Sequence, residues 1–377
     1  MRILFVTRGS PASIFGLVPL ATSARNAGHE VLVSSTESMM SVVSSVGLPG
    51  VPVTDRTEDY FGRTDRNGDP LSFPDHGARR QRLFAGGWYG RLAAASIDRL
   101  VEVVSFWRPD IVVGGRLDYA APLVAYYLGV PFVRQAVDMG EWSEVDEGAT
   151  EELQPELKNI GLTELPTPDL PIEIYPPSLR PKNAPPAELM RWRPGNVQRT
   201  VERWMVVRGT RPRVCVTPGS RATPEEHFDY VRYLVETIGG LDVELIVAVP
   251  DSLATALNAV AENARVGWAP LDVIAPTCDL FVHHAGGMTS LTALDSGVPQ
   301  LIMPEEDATY ELGERVSDLG AAITLPRSAA TAEKIQDSCS DLVSDTSYRT
   351  RAEELAVEIK DLTPPTEMVP VMEKLVG

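Results

Sequence analysis

The chain has 377 residues, of which 44% are hydrophobic and 23% charged, a typical globular composition that excludes a disordered or fibrous protein. Its 52 acidic residues outnumber its 34 lysines and arginines, and the net charge of −18 argues against nucleic acids and anionic membranes as partners. The three cysteines are widely spaced without a CxxC pair, and no segment approaches the ~20 apolar residues that span a bilayer, so we expect a cytoplasmic protein.

The first half of the chain alternates predicted strands with predicted helices. In chain order these are a strand at 3–6, a helix at 17–26, a strand at 30–34, a helix-to-strand segment at 43–53, a long helix at 80–107, a strand at 111–113, a helix at 122–128 and a strand at 131–137. A turn-rich loop at 7–11 follows the first strand, and the polar connection at 54–77 is long for a compact domain. Because strand–helix–strand units make parallel strands, the strand ends should face a binding crevice.

Two short basic clusters, at 79–82 and 208–213, lack interleaved aromatic residues. We interpret both as surface or domain-edge charge rather than as a nucleic-acid site. An acidic run at 138–152 closes the first half of the chain.

A proline-rich segment separates the two halves. Nine prolines fall between residues 165 and 194, a density far above the average of about 5%, and proline cannot continue a helix or a central strand. We therefore predict an N-terminal domain at 1–190, a linker region at 166–205, a C-terminal domain at 206–360, and a C-terminal helix at 361–377 that returns to the first domain.

The second half restarts the alternation with a strand at 213–217, a loop at 218–221, a helix at 225–238 and a strand at 243–249. Two consecutive arrays of this kind predict an α/β protein of two doubly wound domains.

The strongest local signal is the apolar strand at 280–282, which ends in His283-His284-Ala285-Gly286-Gly287 and runs at once into a helix at 289–296. Free N–H groups and the positive end of the helix dipole favour an anion there, which predicts a diphosphate cradle. An ordinary strand–helix turn with buried histidines is the alternative.

Motifs across the chain resemble those of a known family. Residues 267–279, 283–294 and 296–300 match in order the C-terminal motif of nucleotide-sugar glycosyltransferases of the GT-B fold. Residues 1–11, 107–115 and 176–183 resemble the bacterial natural-product glycosyltransferases (GT1-like) that attach D-olivose to angucyclines in landomycin and urdamycin biosynthesis. The resemblance implies two Rossmann-like domains facing a cleft, and a metal-independent hexosyltransferase that uses a dTDP-sugar as donor substrate and needs no cofactor.

The resemblance also implies a donor site. The implied diphosphate-binding residues are Ser10, Ser220, His284, Gly286, Gly287, Met288 and Thr289, and the implied nucleobase-binding residues are Trp268 and Leu271. The alternatives are a helix cap for Ser10 and a core or surface position for Trp268. Since there is no DxD motif, we expect no metal. Positive charge from the helix terminus and from His284 would assist departure of the leaving group.

The family's usual catalytic pair is absent. Its histidine and aspartate correspond to Ser13 and Gly115 here, and neither accepts a proton at neutral pH. Asp118 and Asp138 remain as candidates near strand ends. We favour Asp138 as the general base, because its strand delivers it to the crevice edge and its apolar neighbours would raise its pKa towards the working range of a base. The alternative is one more surface acid in the run at 138–152.

The resemblance implies that the connection at 54–77 lies over the acceptor, so aromatic residues in and after it would form a pocket for a flat aromatic aglycone. Tyr60, Phe61, Phe73 and Trp88 would line it, unless they belong to the core. The loop near Gly62 would set the acceptor's pose, and this glycine replaces a bulkier residue of the carbon-linking relative, which favours O-transfer.

The sequence thus predicts inverting transfer of a deoxysugar, D-olivose from dTDP-D-olivose, to a phenol of an angucycline polyketide. The segment at 304–309 lacks the Asp-Gln pair that binds sugar hydroxyls in relatives, which suits a 2,6-dideoxysugar. The alternatives are C-transfer to the same acceptor class, a nucleotide-sugar epimerase of the same fold, and a non-catalytic helper. We expect only small-molecule partners, and a monomer or homodimer.

Overall fold

The computed structural model describes residues 1–140, 143–261 and 264–377. Contacts between residues divide the chain into two compact units. The first unit consists of Met1–Tyr175, Lys182–Arg191 and Leu362–Gly377, and the second consists of Pro176–Pro181 and Trp192–Asp361. The chain therefore passes from one unit to the other within the proline-rich segment and again before its last helix.

The first unit alternates strands and helices along the chain. They are β1 (Arg2–Val6), α1 (Pro11–Asn26), β2 (Glu30–Thr36), α2 (Met40–Ser45), β3 (Gly50–Thr54), α3 (Glu58–Arg63), α4 (Ala78–Phe106), β4 (Ile111–Gly115), α5 (Ala120–Leu128), β5 (Phe132–Gln135), α6 (Ser143–Glu152), α7 (Gln154–Asn159), β6 (Leu170–Glu173) and β7 (Glu188–Leu189).

All seven strands pair in parallel, in the order β3-β2-β1-β4-β5-β6-β7. Residues 3–5 of β1 and 111–113 of β4 are fully buried, as expected for central strands of a sheet covered on both faces. Because β1 and β4 are neighbours, the loops that follow them lie side by side at the carboxyl edge of the sheet.

Two helices of the first unit begin where a loop was predicted. α1 starts at Pro11 rather than at residue 17, because proline fits the first turn and the Ser10 side chain caps the helix by accepting from Ser13 N. The polar connection at 54–77 contains α3, which Thr57 caps by accepting from Tyr60 N. Hydrophobic periodicity does not detect such capping residues.

The acidic run and the basic cluster of the first half are partners. The acidic residues at 144–152 belong to α6, which packs against α4. Arg79 donates to Glu147 at 2.6 Å and Arg82 donates to Glu144 at 3.0 Å. The cluster at 79–82 is therefore charge that is largely neutralised within its own unit.

Helices α4 and α6 cross at close range through glycines. A Cβ on Gly148 would lie 2.2 Å from the carbonyl oxygen of Leu83, and a Cβ on Gly86 would lie 2.2 Å from the carbonyl oxygen of Val145. Real Cβ atoms essentially never approach a neighbour within 3.0 Å, so any larger residue must displace a helix.

We expect Gly148→Ala to lower the free energy of unfolding by about 1–3 kcal/mol, because the added methyl group overpacks this crossing. Gly87→Ala is the matched control, since the nearest atom to its Cβ is the end of the Arg91 side chain, at 3.2 Å. Urea unfolding of both variants measures the difference. Equal stability of the two variants would show that the crossing accommodates the methyl group.

The proline-rich segment was predicted to hold no central strand, and this is wrong. β6 pairs with β5 on one side and with β7 on the other. The two strands are only four and two residues long, so Pro171 removes one donor from a short ladder rather than interrupting a long one.

The second unit repeats the alternation. Its elements are α8 (Arg203–Val206), β8 (Arg213–Thr217), α9 (Pro224–Ile238), β9 (Glu244–Ala248), α10 (Asp251–Leu257), β10 (Ala264–Gly267), α11 (Leu271–Ile274), β11 (Leu280–His283), α12 (Gly287–Asp295), β12 (Gln300–Ile302), α13 (Asp307–Asp318), β13 (Ala322–Thr324), α14 (Ala332–Ser344) and α15 (Thr346–Lys360). The last helix of the chain, α16 (Pro365–Val376), packs against α1 in the first unit. Short 3₁₀ helices lie at Glu37–Met39, Pro177–Leu179, Ala275–Thr277 and Arg327–Ala329.

The six strands of the second unit are also parallel, in the order β10-β9-β8-β11-β12-β13. Neighbouring strands β8 and β11 are fully buried, so the loops at 218–221 and 284–286 lie side by side at the carboxyl edge. The prediction of two parallel-sheet α/β domains is confirmed. Within the described ranges, no helix has both the length and the apolar character needed to cross a membrane.

Candidate functional site

The first candidate site lies at the carboxyl ends of β1 and β4. The loop after β1 carries Arg8, whose backbone N–H donates to Asp118 Oδ1 at 2.7 Å. The other oxygen, Oδ2, accepts from Gly115 N at 2.8 Å. A Cβ on Gly115 would lie 2.3 Å from this oxygen, so the Asp118 carboxylate occupies the place where a side chain at position 115 would begin. Asp118 is 7% exposed, and its carboxylate ties the two loops together.

Asp138 follows β5 and is the more accessible of the two aspartates. It is half-buried, and its Oδ1 accepts from Gly140 N at 3.1 Å. Burial raises the pKa of Asp138, while the nearby cations Arg8 and Arg116 oppose the rise. Burial raises the pKa of Asp118 to about 6, again opposed by Arg8. Both carboxylate oxygens of Asp118 accept from backbone N–H groups, so Asp138 is the better placed base. The catalytic role of Asp138 stays a prediction.

Ser10 and Ser13 both belong to the start of α1. Ser10 is its N-cap, and Ser13, only 1% exposed, donates from Oγ to the Ser10 carbonyl oxygen at 2.8 Å. Capping alone accounts for a serine at position 10. Contact between Ser10 and a diphosphate stays a prediction.

The predicted acceptor residues lie on α3 and α4. Trp88 Nε1 donates to Glu58 O at 2.7 Å, and a Cβ on Gly62 would lie 2.7 Å from the Trp88 ring. Glycine at position 62 is therefore what lets α3 approach the indole. Phe61 is 6% exposed and packs into the unit, whereas Tyr60 and Trp88 are half-buried. Contact of these residues with an acceptor stays a prediction.

The second candidate site is the turn between β11 and α12. Gly286 is the N-cap of α12 and no side chain caps the helix, so its first backbone N–H groups have no intrahelical partner. Ala285 has a φ of 67°, in the left-handed region that non-glycine residues rarely adopt, and such strain concentrates at functional turns. Gly287 and Met288 are half-buried and Thr289 is 9% exposed. The turn thus has the geometry of an anion site.

His284 packs its ring against two glycines. A Cβ on Gly219 would lie 2.5 Å from ring carbon Cε1, and a Cβ on Gly286 would lie 2.8 Å from it. Burial, together with the nearby cations Arg221 and Arg327, lowers the pKa of His284 to about 4. The imidazole is therefore neutral at neutral pH in the ligand-free protein, and its help to a departing diphosphate stays a prediction. The positive charge around it comes from the two arginines, which the sequence reasoning missed.

Two neutral histidines, His283 and His284, should make the protein sensitive to acid. The pKa of His284 is about 4 and that of His283, which is buried and bonded to Gln300, is about 3, both below the ordinary value of 6.5. The unfolded chain therefore binds more protons in this range, so stability present above pH 6.5 is lost as the pH falls towards 4.

Thermal unfolding midpoints compared at neutral and mildly acidic pH measure this loss. His284→Gln removes one of the two titrating rings, so its midpoint should fall less on acidification than that of the wild type. The buried aspartates titrate in both proteins and cancel in the comparison. An equal fall in the two proteins would contradict a neutral His284.

The remaining predicted donor residues lie at the same carboxyl edge of the second sheet. Ser220 is exposed in the loop after β8. Trp268 follows β10 and is half-buried, with its Nε1 donating to Val197 O at 2.8 Å. Leu271 begins α11 and is also half-buried. The indole N–H is thus occupied by the protein, and contact of Trp268 and Leu271 with a nucleobase stays a prediction.

Charged residues follow β12 and β13, the last two strands of the second sheet. The Arg327 guanidinium lies 3.4 Å from the Tyr230 ring centroid and forms an ion pair with Glu305. Burial raises the pKa of Glu306, and Arg221 opposes this rise. Both glutamates come directly after a buried strand in the sequence, a signal that could have placed them at this edge.

Metal ligands do not gather at either site. In the part of the chain that the structure describes, no group of three or more His, Cys, Asp or Glu residues could hold a metal ion. In the loop at 65–69, Asp65 Oδ1 accepts from the backbone N–H groups of Asn67 and Asp69, so this carboxylate stabilises a turn.

Comparison with known proteins gives matches over almost the whole chain. A family model described as erythromycin biosynthesis protein CIII-like, N-terminal domain, matches residues 22–219, and the model of the corresponding C-terminal domain matches 232–375. The L-demethylnoviosyl transferase of Streptomyces niveus is 29% identical over 95% of this chain and 94% of its own. The aklavinone 7-beta-L-rhodosaminyltransferase of Streptomyces galilaeus is 28% identical over 100% of this chain and 96% of its own. The crystal structure of the Streptomyces sp. SF2575 glycosyltransferase SsfS6, complexed with thymidine diphosphate, matches with a TM-score of 0.88 at 31% identity over 99% of each chain.

Proposed function

Because this chain belongs to the erythromycin biosynthesis protein CIII-like family and is a glycosyltransferase of GT-B fold, we propose that it transfers a 2,6-dideoxyhexose from thymidine diphosphate to a phenol of an aromatic polyketide. D-olivose and an angucycline are the sugar and the acceptor that the sequence motifs favour. The transfer is a single displacement that inverts the anomeric carbon.

The observation that carries this proposal is the anion site at the start of α12. An uncapped helix terminus, a strained Ala285 and the adjacent glycines suit the diphosphate of an activated sugar. SsfS6, which was crystallised with thymidine diphosphate, supports thymidine as the nucleoside. The two relatives are named as an L-demethylnoviosyl transferase and a beta-L-rhodosaminyltransferase.

A deoxysugar suits the surroundings of the second site. Glu305 is already paired with Arg327, so it offers less to a sugar hydroxyl than a free carboxylate would. A donor with fewer hydroxyl groups leaves fewer buried polar atoms unmatched, each of which costs about 1–3 kcal/mol.

In the proposed reaction, Asp138 takes the proton of the acceptor phenol. The phenol oxygen forms a bond to the anomeric carbon as the bond from that carbon to the diphosphate oxygen breaks. The diphosphate leaves with the electron pair, and the N–H groups of Gly287 and Met288 stabilise its charge.

Oxygen rather than carbon is the proposed nucleophile. A phenolate is nucleophilic at both its oxygen and its ortho carbon, so the pose of the acceptor decides between them. Gly62 leaves Trp88 packed directly on α3, and a bulkier residue at position 62 would move this ring. The proposed preference for oxygen rests on this packing of Gly62 against Trp88.

Mass spectrometry of reaction mixtures tests the proposal. The protein is incubated with dTDP-D-olivose and with an angucycline phenol, a macrolide alcohol or no acceptor, and NMR gives the linkage of any product. We expect an O-linked deoxysugar on the phenol alone. Product with only the macrolide would overturn the acceptor class, a C-linked product would overturn the nucleophile, and conversion of the donor without acceptor would favour an epimerase.

A further inference from the structure

The turn that carries Asp138 is bound by a charged side chain from the loop beside it. Gly140 N donates to Asp138 Oδ1 at 3.1 Å, and the carbonyl oxygen of Gly140 accepts from Arg116 Nη1 at 3.2 Å. Arg116 follows β4, whereas Asp138 and Gly140 follow β5. Because β4 and β5 are neighbours, their loops lie side by side at the carboxyl edge of the sheet. Gly140 therefore links the Arg116 guanidinium to the Asp138 carboxylate.

Arg116 is itself anchored through both its side chain and its backbone. Its Nη2 pairs with Oε1 of Glu173, which ends β6 and has a side chain that is 6% exposed. Its carbonyl oxygen accepts from Arg134 on β5, at 2.6 Å from Nη2 and 3.1 Å from Nε. Arg134 in turn donates from Nη1 to Asp146 on α6 at 2.9 Å. Residues from β5, β6 and α6 thus fix the position of this guanidinium.

The residues just before Asp138 are also held in place. Gln135 Nε2 donates to Gly16 O on α1 at 2.7 Å, and both residues are buried. Ala136 N donates to Ile172 O on β6 at 2.7 Å. Together with the arginine, these contacts fix the chain on both sides of the aspartate.

Stability is a weak reason to retain the pair of Arg116 and Glu173. A buried ion pair loses the hydration of both charges, and its replacement by apolar residues is often neutral or stabilising. Among the described residues, Glu173 Oε2 is also buried without a hydrogen-bond partner, which costs free energy. What the pair does provide is a defined position for the turn that carries Asp138.

We propose that Arg116 is a positioning residue for the acceptor base: anchored on Glu173, it binds the Gly140 carbonyl and so orients the Asp138 carboxylate towards the acceptor. This inference rests on the proposed function, in which Asp138 is the base. Since Oδ1 accepts from Gly140, Oδ2 is the oxygen that takes the proton of the phenol. A displacement of about 1 Å at a reacting group can cost a factor of about 10² in rate, so the hold on this turn matters for transfer.

A double-mutant cycle tests this proposal. Arg116→Gln should lower kcat about 10- to 100-fold, while KM for the acceptor stays near its wild-type value. In an Asp138→Asn background the same change should have little further effect, because the arginine then has no base to orient. Arg82→Gln is the matched control, since Arg82 lies on α4, is 10% exposed and pairs with Glu144 at 3.0 Å. It should leave kcat near the wild-type value.

An equal fall in kcat in both backgrounds would overturn the proposal and leave Arg116 a structural residue. Circular dichroism shows whether Arg116→Gln folds. If it does not, Glu173→Gln, which removes the charge of the anchor and keeps its shape, goes through the same cycle with the same expectation.

Amide hydrogen exchange gives an answer that needs no turnover. The Gly140 N–H, which donates to Asp138 Oδ1, should exchange faster in Arg116→Gln than in the wild type and in Arg82→Gln. Equal exchange in all three proteins would overturn the proposal. Absence of transfer by the wild type, with exchange at Gly140 still faster in Arg116→Gln, would overturn the proposed function and not the hold of Arg116 on the turn.

Discussion

Asp138→Asn should lower sugar transfer by about 10²- to 10⁴-fold, the usual contribution of a general base. Asparagine has the same shape as aspartate but cannot accept the acceptor's proton. Asp138 is half-buried, and its raised pKa brings it closer to the working range of a base. The loss should therefore appear in kcat, while binding of thymidine diphosphate in the second unit stays as in the wild type.

Steady-state kinetics and calorimetric titration with thymidine diphosphate measure these two effects separately. Glu147→Gln is the matched control, because Glu147 belongs to the same acidic run but is 44% exposed and paired with Arg79. It should turn over normally. Normal turnover by Asp138→Asn would make Asp138 one more surface acid and would leave the first unit without an identified base.

His284→Ala should weaken binding of thymidine diphosphate by about 10- to 150-fold, the effect of losing a hydrogen bond to a charged group worth about 1.5–3 kcal/mol. His284 Nδ1 has no hydrogen-bond partner among the described residues, and the ring carbon Cε1 would lie 2.8 Å from a Cβ on Gly286, the N-cap of α12. A bound diphosphate would favour the protonated ring, which can then donate from Nδ1. The same negative charge would raise the pKa of His284 from its ligand-free value of about 4.

Calorimetric titration of His284→Ala and His284→Gln with thymidine diphosphate measures this loss. Glutamine keeps a hydrogen-bond donor, so its affinity should lie between those of His284→Ala and the wild type. Circular dichroism shows whether the sheet around Gly219 and Gly286 survives the loss of the ring. Wild-type affinity in a folded His284→Ala variant would place the diphosphate somewhere other than this turn.

The parallel sheets could be predicted because their central strands are apolar runs. Residues 3–5, 111–113 and 280–282 are buried on both faces, and this leaves a clear signal in the sequence. α3 and α6 were not predicted, because neither contains an apolar run. Thr57 caps α3, and α6 packs on α4 and pairs with arginines more than sixty residues earlier in the chain. Neither cause is visible in hydrophobic periodicity.

The second site could be predicted more fully than the first. Its strand, turn and helix are contiguous in sequence, so the turn around Gly286 could be predicted from neighbouring residues alone. In the first site, the contact between Arg8 and Asp118 joins residues that are 110 positions apart, and only the fold brings them together. The neutral state of His284 depends on burial, which the sequence does not record. The family prediction is confirmed, whereas olivose and the angucycline acceptor stay predictions.

The most direct test of a base-assisted single displacement is the configuration of the transferred sugar. NMR of the product made from a dTDP-2,6-dideoxyhexose of known anomeric configuration gives this result, with the configuration of the donor as reference. We expect one deoxysugar on the phenol oxygen, with its anomeric configuration inverted. A product that retains the donor configuration would contradict direct attack by the acceptor and the role given to Asp138.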